Sequence, residues 1–75
     1  GGRRLMHIHE NRPGVLTALN QIFAEQGVNI AAQYLQTSAQ VGYVVIDIEA
    51  DEDVAEKALL AMKALPGTIR ARLLY

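Results

Sequence analysis

The sequence MHIHENRPGVL, residues 6–16, predicts a strand, a short polar loop and the start of a helix in direct succession. Residues 3–9 alternate between the two faces of a strand, and we expect Met6 and Ile8 to lie on the face that meets the helices. The helix is predicted to begin at Pro13, because the first helical turn leaves its N–H groups without partners and proline has no N–H. A strand that leads at once into a helix predicts the first half of a βαβ unit.

The remaining sequence completes a βαββαβ order. Apolar residues recur at helical spacing in two stretches and alternate along the stretches that separate and follow them. The predicted elements are a helix over 13–26, strands over 28–37 and 43–50, a helix capped by Asp51 and ended by Pro66 and Gly67, and a last strand over 68–75 with Ile69, Ala71 and Leu73 facing inward. Right-handed crossovers give an α+β, ferredoxin-like fold, a four-stranded antiparallel sheet in the order 4-1-3-2 with both helices on one face.

Composition narrows the class of protein. The 75 residues suffice for a single domain over residues 1–75, and 51% of them are hydrophobic, which predicts a folded chain. The absence of cysteine excludes disulfides and thiol nucleophiles, and a formal net charge of −1 argues against a nucleic-acid partner. No apolar run reaches the ~20 residues that span a bilayer and no signal-peptide pattern is present, so we expect a cytoplasmic protein with no membrane partner. The opening Gly1-Gly2 is typical of a hinge, which predicts a module of a larger protein.

A small polar site is expected where the first strand meets the first helix. His9, Asn11 and Arg12 lie in or beside the connecting loop, and the free N–H groups of Gly14 and Val15 point back into it. The positive end of the helix dipole favours a carboxylate or a phosphate at that place. This combination predicts a site for a small anionic or zwitterionic molecule.

The second strand is the predicted edge that is most open to pairing with another chain. Residues 28–36 carry no charge and no proline, so their unpaired backbone groups favour the addition of a strand. We therefore expect two copies to pair edge to edge with two-fold symmetry. In that pair Asn29 of one copy approaches the loop of His9 and Asn11 in the other, where two amides and an imidazole suit an amino acid.

Four other functions stay open on the residues alone. A small acylphosphatase-like hydrolase would use Arg12 in the first loop and Asn29 on a later strand. A metal ion would take His7 and His9, with a carboxylate of the third strand as a further ligand. An RNA-binding sheet needs exposed aromatic rings and positive charge, which this composition favours least. A structural dimerisation module would pair through the edge strand and bind no ligand.

Three motifs of the chain resemble those of ACT domains. They are H-x-N-R-P-G-V-L over residues 9–16, G-V-N-I over 27–30 and G-Y-V-V-I-D over 42–47. Together with Y-L-Q-T-S over 34–38 and the closing R-x-R-L-L-Y over 70–75, they resemble more narrowly the serine-responsive regulatory domain of a biosynthetic dehydrogenase. The resemblance covers essentially the whole chain.

The resemblance implies a regulatory domain that is not itself an enzyme and holds no cofactor. ACT domains pair side by side through their sheets, and amino acids bind at the interface. The narrower resemblance implies L-serine as effector, in feedback inhibition of an NAD-dependent dehydrogenase whose catalytic domains would be the further partner. The residues that it implies for the site are His9, Asn11, Arg12, Pro13, Gly14, Val15, Val28 and Asn29, with Asn29 supplied by the neighbouring copy.

Overall fold

Six elements form the fold in the predicted βαββαβ order. The computed structural model describes residues 2–75, so Gly1 of the predicted hinge lies outside the described residues, and Gly2 begins the first strand. The elements are β1 (Gly2–Glu10), α1 (Val15–Glu25), β2 (Asn29–Thr37), β3 (Val41–Glu49), α2 (Glu52–Ala64) and β4 (Thr68–Leu73). The strands form one antiparallel sheet ordered β2-β3-β1-β4, which confirms the predicted order and leaves β2 and β4 as its edges. No helix within residues 2–75 is long and apolar enough to cross a membrane.

The hydrophobic core lies between one face of the sheet and both helices. Alternate residues of β3 point into it, as predicted, and meet the apolar stripes of α1 and α2. The other face of the sheet carries no helix and is called the open face below. The core residues are Leu5, Leu19, Ile22, Phe23, Val44, Ile46, Ile48, Ala55, Ala58, Met62 and Ala71.

The face of β1 that meets the helices is not the predicted one. Leu5, His7 and His9 are buried on the helix side, whereas Met6 and Ile8 lie on the open face, so the expected placement was wrong. Hydrophobic alternation favoured Met6 and Ile8 because histidine is polar. The two imidazoles can nevertheless be buried because each has a hydrogen-bond partner in the interior.

The last strand contains a bulge that the sequence pattern did not reveal. His9 pairs with Thr68 and Ile8 pairs with Arg70, so Ile69 is left without a partner on β1. Ile69 is therefore 55% exposed and its predicted inward position is wrong, whereas Ala71 is buried as predicted. Thr68 takes the inward position in place of Ile69.

Helix α1 begins later than predicted. Pro13 and Gly14 precede the helix, which starts at Val15, and Gly14 adopts a left-handed conformation with φ +89°. Glycine suits this position because other residues are strained at positive φ. Gly14 gives the helix no side-chain cap, so the N–H groups of the first turn face the loop. The α2 helix does have its predicted cap, since the Asp51 carboxylate accepts a hydrogen bond from a backbone N–H of its first turn.

Candidate functional site

A chain of hydrogen bonds, one buried and two partly buried, runs from α2 to the end of β1. The Nδ1 atoms of His7 and His9 lie 3.2 Å apart, and Nε2 of His7 lies 2.8 Å from Oγ1 of Thr68. The Thr68 hydroxyl in turn donates a hydrogen bond of 2.8 Å to the carbonyl oxygen of Met62, near the end of α2. Three elements therefore hold the two histidines in place.

Both imidazoles of this chain are neutral at neutral pH. Burial, reinforced by repulsion from any charge on His9, lowers the pKa of His7 to about 4. Burial also lowers the pKa of His9. A neutral imidazole has one N–H donor and one acceptor nitrogen, so the hydrogen-bond partners of each ring can determine which nitrogen carries the proton.

His9 stands against Gly42 on the neighbouring strand. The two residues are paired between β1 and β3, and a Cβ atom added at Gly42 would collide with the imidazole ring at Nε2. The ring can occupy its place only because residue 42 has no side chain. The sequence motif contained Gly42, but only the structure shows that it makes room for His9.

The loop after β1 is fastened on both sides. Asn11 donates two hydrogen bonds to the β2–β3 turn, from its backbone N to the oxygen of Gln40 at 2.9 Å and from Nδ2 to the oxygen of Ser38 at 2.8 Å. Arg12 turns the other way, toward the α2–β4 turn, where its guanidinium lies over Gly67. The predicted loop residues therefore lie together in space, but the side chains of Asn11 and Arg12 point toward opposite edges of the sheet.

The start of β2 lies at the far end of the sheet from this loop. Asn29 pairs with Glu49, whereas His9 pairs with Gly42, which also pairs with Thr37 at the other end of β2. Eight residue steps of a strand separate Asn29 from Thr37, which corresponds to roughly 26 Å. Within one chain, Asn29 and the adjacent Val28 therefore lie far from the loop. The sequence analysis had placed Asn29 near the loop only through a second copy.

The edge strand β2 exposes apolar side chains on both faces of the sheet. Tyr34 on the open face is 56% exposed, and Leu35 on the helix side is 50% exposed. A shallow groove of about 410 Å³ follows the end of this strand and its turn, lined by Gln36, Thr37, Ser38, Val41 and Tyr43. This apolar, uncharged edge is adjacent to the turn that Asn11 contacts.

The residues proposed for other functions are not assembled in this fold. Arg12 and Asn29, which a hydrolase would need together, lie at opposite ends of the sheet. Asp47 lies on the open face, away from the histidines, where Arg4 donates two hydrogen bonds of 2.6 and 2.8 Å to its carboxylate and lowers its pKa. Within the described residues, no three His, Cys, Asp or Glu side chains form a group that could hold a metal ion.

Sequence reasoning identified His9 and named His7 beside it as a possible metal ligand, but it did not predict that His7 and Thr68 hold His9 in place. The H-x-H spacing of His7 and His9 already places both on one strand face, because residues two apart in a strand share it. Thr68 had no such signal. It faces inward only because of the bulge beside it.

Comparison with curated proteins gives long matches to one enzyme. The chain is 95% identical over 75 residues to D-3-phosphoglycerate dehydrogenase of Escherichia coli (strain K12), a match that covers 100% of this chain and 18% of that protein. It is 59% identical to D-3-phosphoglycerate dehydrogenase of Haemophilus influenzae, again over 100% of this chain and 18% of that protein. The chain thus spans about a fifth of the length of these relatives.

The fold and the family follow from two further comparisons. The crystal structure of the ACT domain from GTP pyrophosphokinase of Chlorobium tepidum matches with a TM-score of 0.86 at 12% identity, over 97% of this chain and 96% of that one. The family described as the AHAS small subunit-like ACT domain matches residues 5–70. The chain therefore belongs to the ACT domain family and is a regulatory domain of that type.

Proposed function

We propose that this chain is an allosteric regulatory domain that binds L-serine between two copies of itself and thereby inhibits a parent dehydrogenase. The curated relatives are D-3-phosphoglycerate dehydrogenases, and an enzyme of that name belongs to serine biosynthesis. L-serine, as the end product, is the effector that feedback inhibition would use. The catalytic, NAD-dependent part of such an enzyme is the further partner.

The hydrogen bond from Asn11 to Ser38 carries the proposal. Ser38 follows the last residue of the edge strand β2, whereas Asn29 is the first residue of the same strand. When two β2 strands pair antiparallel about a two-fold axis, the start of one lies beside the end of the other. Asn29 of the partner copy then reaches the loop that carries His9 and Asn11, which a single chain does not allow.

The chemistry of the assembled site suits a free amino acid. The uncapped first turn of α1, at Val15, offers backbone N–H groups and the positive end of a dipole to a carboxylate. The side-chain oxygens of Asn11 and of the partner's Asn29 can accept from an ammonium or a hydroxyl, and their N–H groups that remain free can donate to a hydroxyl or a carboxylate. Selection of serine over alanine would come from a group that hydrogen-bonds the hydroxyl, because that group is left unpaired when alanine binds. Arg12, Pro13, Gly14 and Val28 would shape the backbone around the ligand.

Pairing along β2 also explains the composition of this edge. A second strand would satisfy the free backbone groups of β2 and cover part of Tyr34 and Leu35, which a lone chain exposes. The ligand shared between the copies would then favour one relative arrangement of the two domains. Regulation follows only if the ligand binds one arrangement more tightly than the other, and coupling of this kind is typically ~1–3 kcal/mol per site.

A mixed-dimer titration tests the shared site. The Asn11→Ala and Asn29→Ala variants should each lose L-serine binding in a calorimeter at concentrations where the chain is dimeric. When the two variants are mixed and exchange copies, each mixed dimer regains one intact site, so roughly a quarter of the wild-type sites should return.

Gln21→Ala is the matched control, because it removes an exposed amide of α1 that makes no side-chain hydrogen bond within the described residues. It should bind L-serine like the wild type, and L-alanine should give no comparable heat with any variant. A mixture that regains no sites, from variants that remain folded and dimeric, would show that a single chain supplies both residues. A wild-type dimer that gives no heat with L-serine would refute the effector.

A further inference from the structure

The hydrogen bonds around His7 have a direction that the structure determines. The Thr68 hydroxyl has a single proton, which it donates to the Met62 carbonyl, so its oxygen can only accept from Nε2 of His7. His7 therefore carries its proton on Nε2. Because this buried ring is neutral, its Nδ1 is an acceptor.

The position of the proton on His7 determines its position on His9. Two Nδ1 atoms 3.2 Å apart share one hydrogen bond, and since Nδ1 of His7 accepts, Nδ1 of His9 must donate. A neutral His9 then has no proton left for Nε2. The lone pair of that nitrogen, which lies against Gly42 beside the loop, is without a partner among the described residues.

We propose that His7 and Thr68 are positioning residues of the effector site, which hold the proton of His9 on Nδ1 so that Nε2 meets the ligand as a hydrogen-bond acceptor. His9 would then bind a donor of the amino acid, its hydroxyl or its ammonium. The carboxylate would be left to other groups of the site. The relay runs from the Met62 carbonyl through Thr68 and His7 to His9, and neither positioning residue touches the ligand. The second half of this inference, contact with the ligand, depends on the proposed function.

The orientation of the relay matters because a neutral histidine side chain in water carries its proton on either ring nitrogen. An imidazole that could exchange its proton between nitrogens would present a donor for part of the time and would then repel the donor groups of the ligand. Fixing the proton beforehand removes that cost from binding, which is the benefit of a preorganised site. The relay achieves this without a charged group in the core.

Nuclear magnetic resonance on the ¹⁵N-labelled chain at neutral pH tests the relay without any ligand. Long-range proton–nitrogen correlations distinguish protonated from unprotonated ring nitrogens, and we expect the proton on Nε2 in His7 and on Nδ1 in His9. A wild-type His9 protonated on Nε2 would overturn the inference, whatever the outcome with L-serine.

Two variants of Thr68 then test its consequence for binding. Thr68→Val removes the acceptor for Nε2 of His7, so His7 can move its proton to Nδ1 and His9 to Nε2, and L-serine affinity should fall about tenfold. Thr68→Ser keeps the hydroxyl and should restore both the proton position and the affinity. A folded Thr68→Val chain with wild-type protonation and affinity would contradict the relay. A wild-type dimer that binds no amino acid would overturn the effector site alone, because the proton positions measured in the same sample still decide the relay.

Discussion

His7 should make the stability of the domain depend on pH in a defined window. The ring is fully buried in the folded chain, where its pKa falls to about 4, and returns to the ordinary value of about 6.5 when the chain unfolds. Between these values the unfolded chain binds a proton that the folded chain does not bind. The free energy of unfolding therefore decreases as the pH falls from 6.5 toward 4, and His7 has no further effect above 6.5.

The size of the effect follows from the two pKa values. Each pH unit in which only the unfolded chain binds the proton lowers stability by about 1.4 kcal/mol, so His7 should lower it by about 2 kcal/mol between pH 8 and pH 5. Urea unfolding at fixed protein concentration, followed by circular dichroism at several pH values, measures this slope. The matched variant is His7→Gln, which fills a similar space with a group that does not titrate.

The comparison removes the proton that His7 binds and keeps every other titrating group, His9 included, in both chains. The wild type should lose about 2 kcal/mol more than His7→Gln between pH 8 and pH 5. Parallel profiles would refute the reasoning, since they would mean that His7 accepts a proton as readily inside the protein as outside it. Direct titration of the His7 ring by magnetic resonance decides the question if the variant does not fold.

Three further substitutions have defined outcomes. Gly42→Ala should displace the His9 ring, destabilise the domain by about 1–3 kcal/mol and weaken L-serine binding in a calorimeter, whereas Gly2→Ala has room for its methyl group and should change neither. Ala32→Lys places a charge on the edge strand and should weaken self-association in sedimentation equilibrium; a dimer that persists at low concentration would place the pairing elsewhere. Gly14→Ala should destabilise the chain by about 1 kcal/mol in urea unfolding, because φ there is +89°, while Gly14→Asn should cost less; equal stability of all three would remove the strain argument.

The architecture was predictable because the period of the hydrophobic pattern distinguishes helices from strands along most of this chain. The face of β1 was not, since Met6 and Ile8 are the more hydrophobic alternate pair and yet lie on the open face. A hydrophobic pattern gives each residue a preference for burial or exposure that depends on its own side chain alone. It cannot register that His7 and His9 supply partners for each other, which changes what their burial costs.

Of the candidate site, the sequence predicted the loop that holds His9 and Asn11, whereas the contribution of Asn29 from a second copy stays a prediction. His9 and Asn11 are neighbours in sequence, so their proximity follows from one short loop. Asn29 is separated from them by the length of a strand, and only a second copy brings it close in the proposed arrangement. The hydrogen bond between Thr68 and His7 could not be predicted either, because it joins residues 61 positions apart in the sequence.

The bulge in β4 shifts the alternation of inward-facing and outward-facing residues along this short strand by one position. Thr68 and Ala71 are three positions apart and still face the same side, which regular alternation forbids. Ile69 is thus an inserted position, and its side chain is more exposed than covered. Deleting Ile69 would leave a shorter strand of regular alternation, in which Thr68 lies two positions before Ala71 and still faces inward with it. The relay to His9 therefore needs the bulge only while Ile69 is present, and a chain without Ile69 should keep the contact of Thr68 with His7.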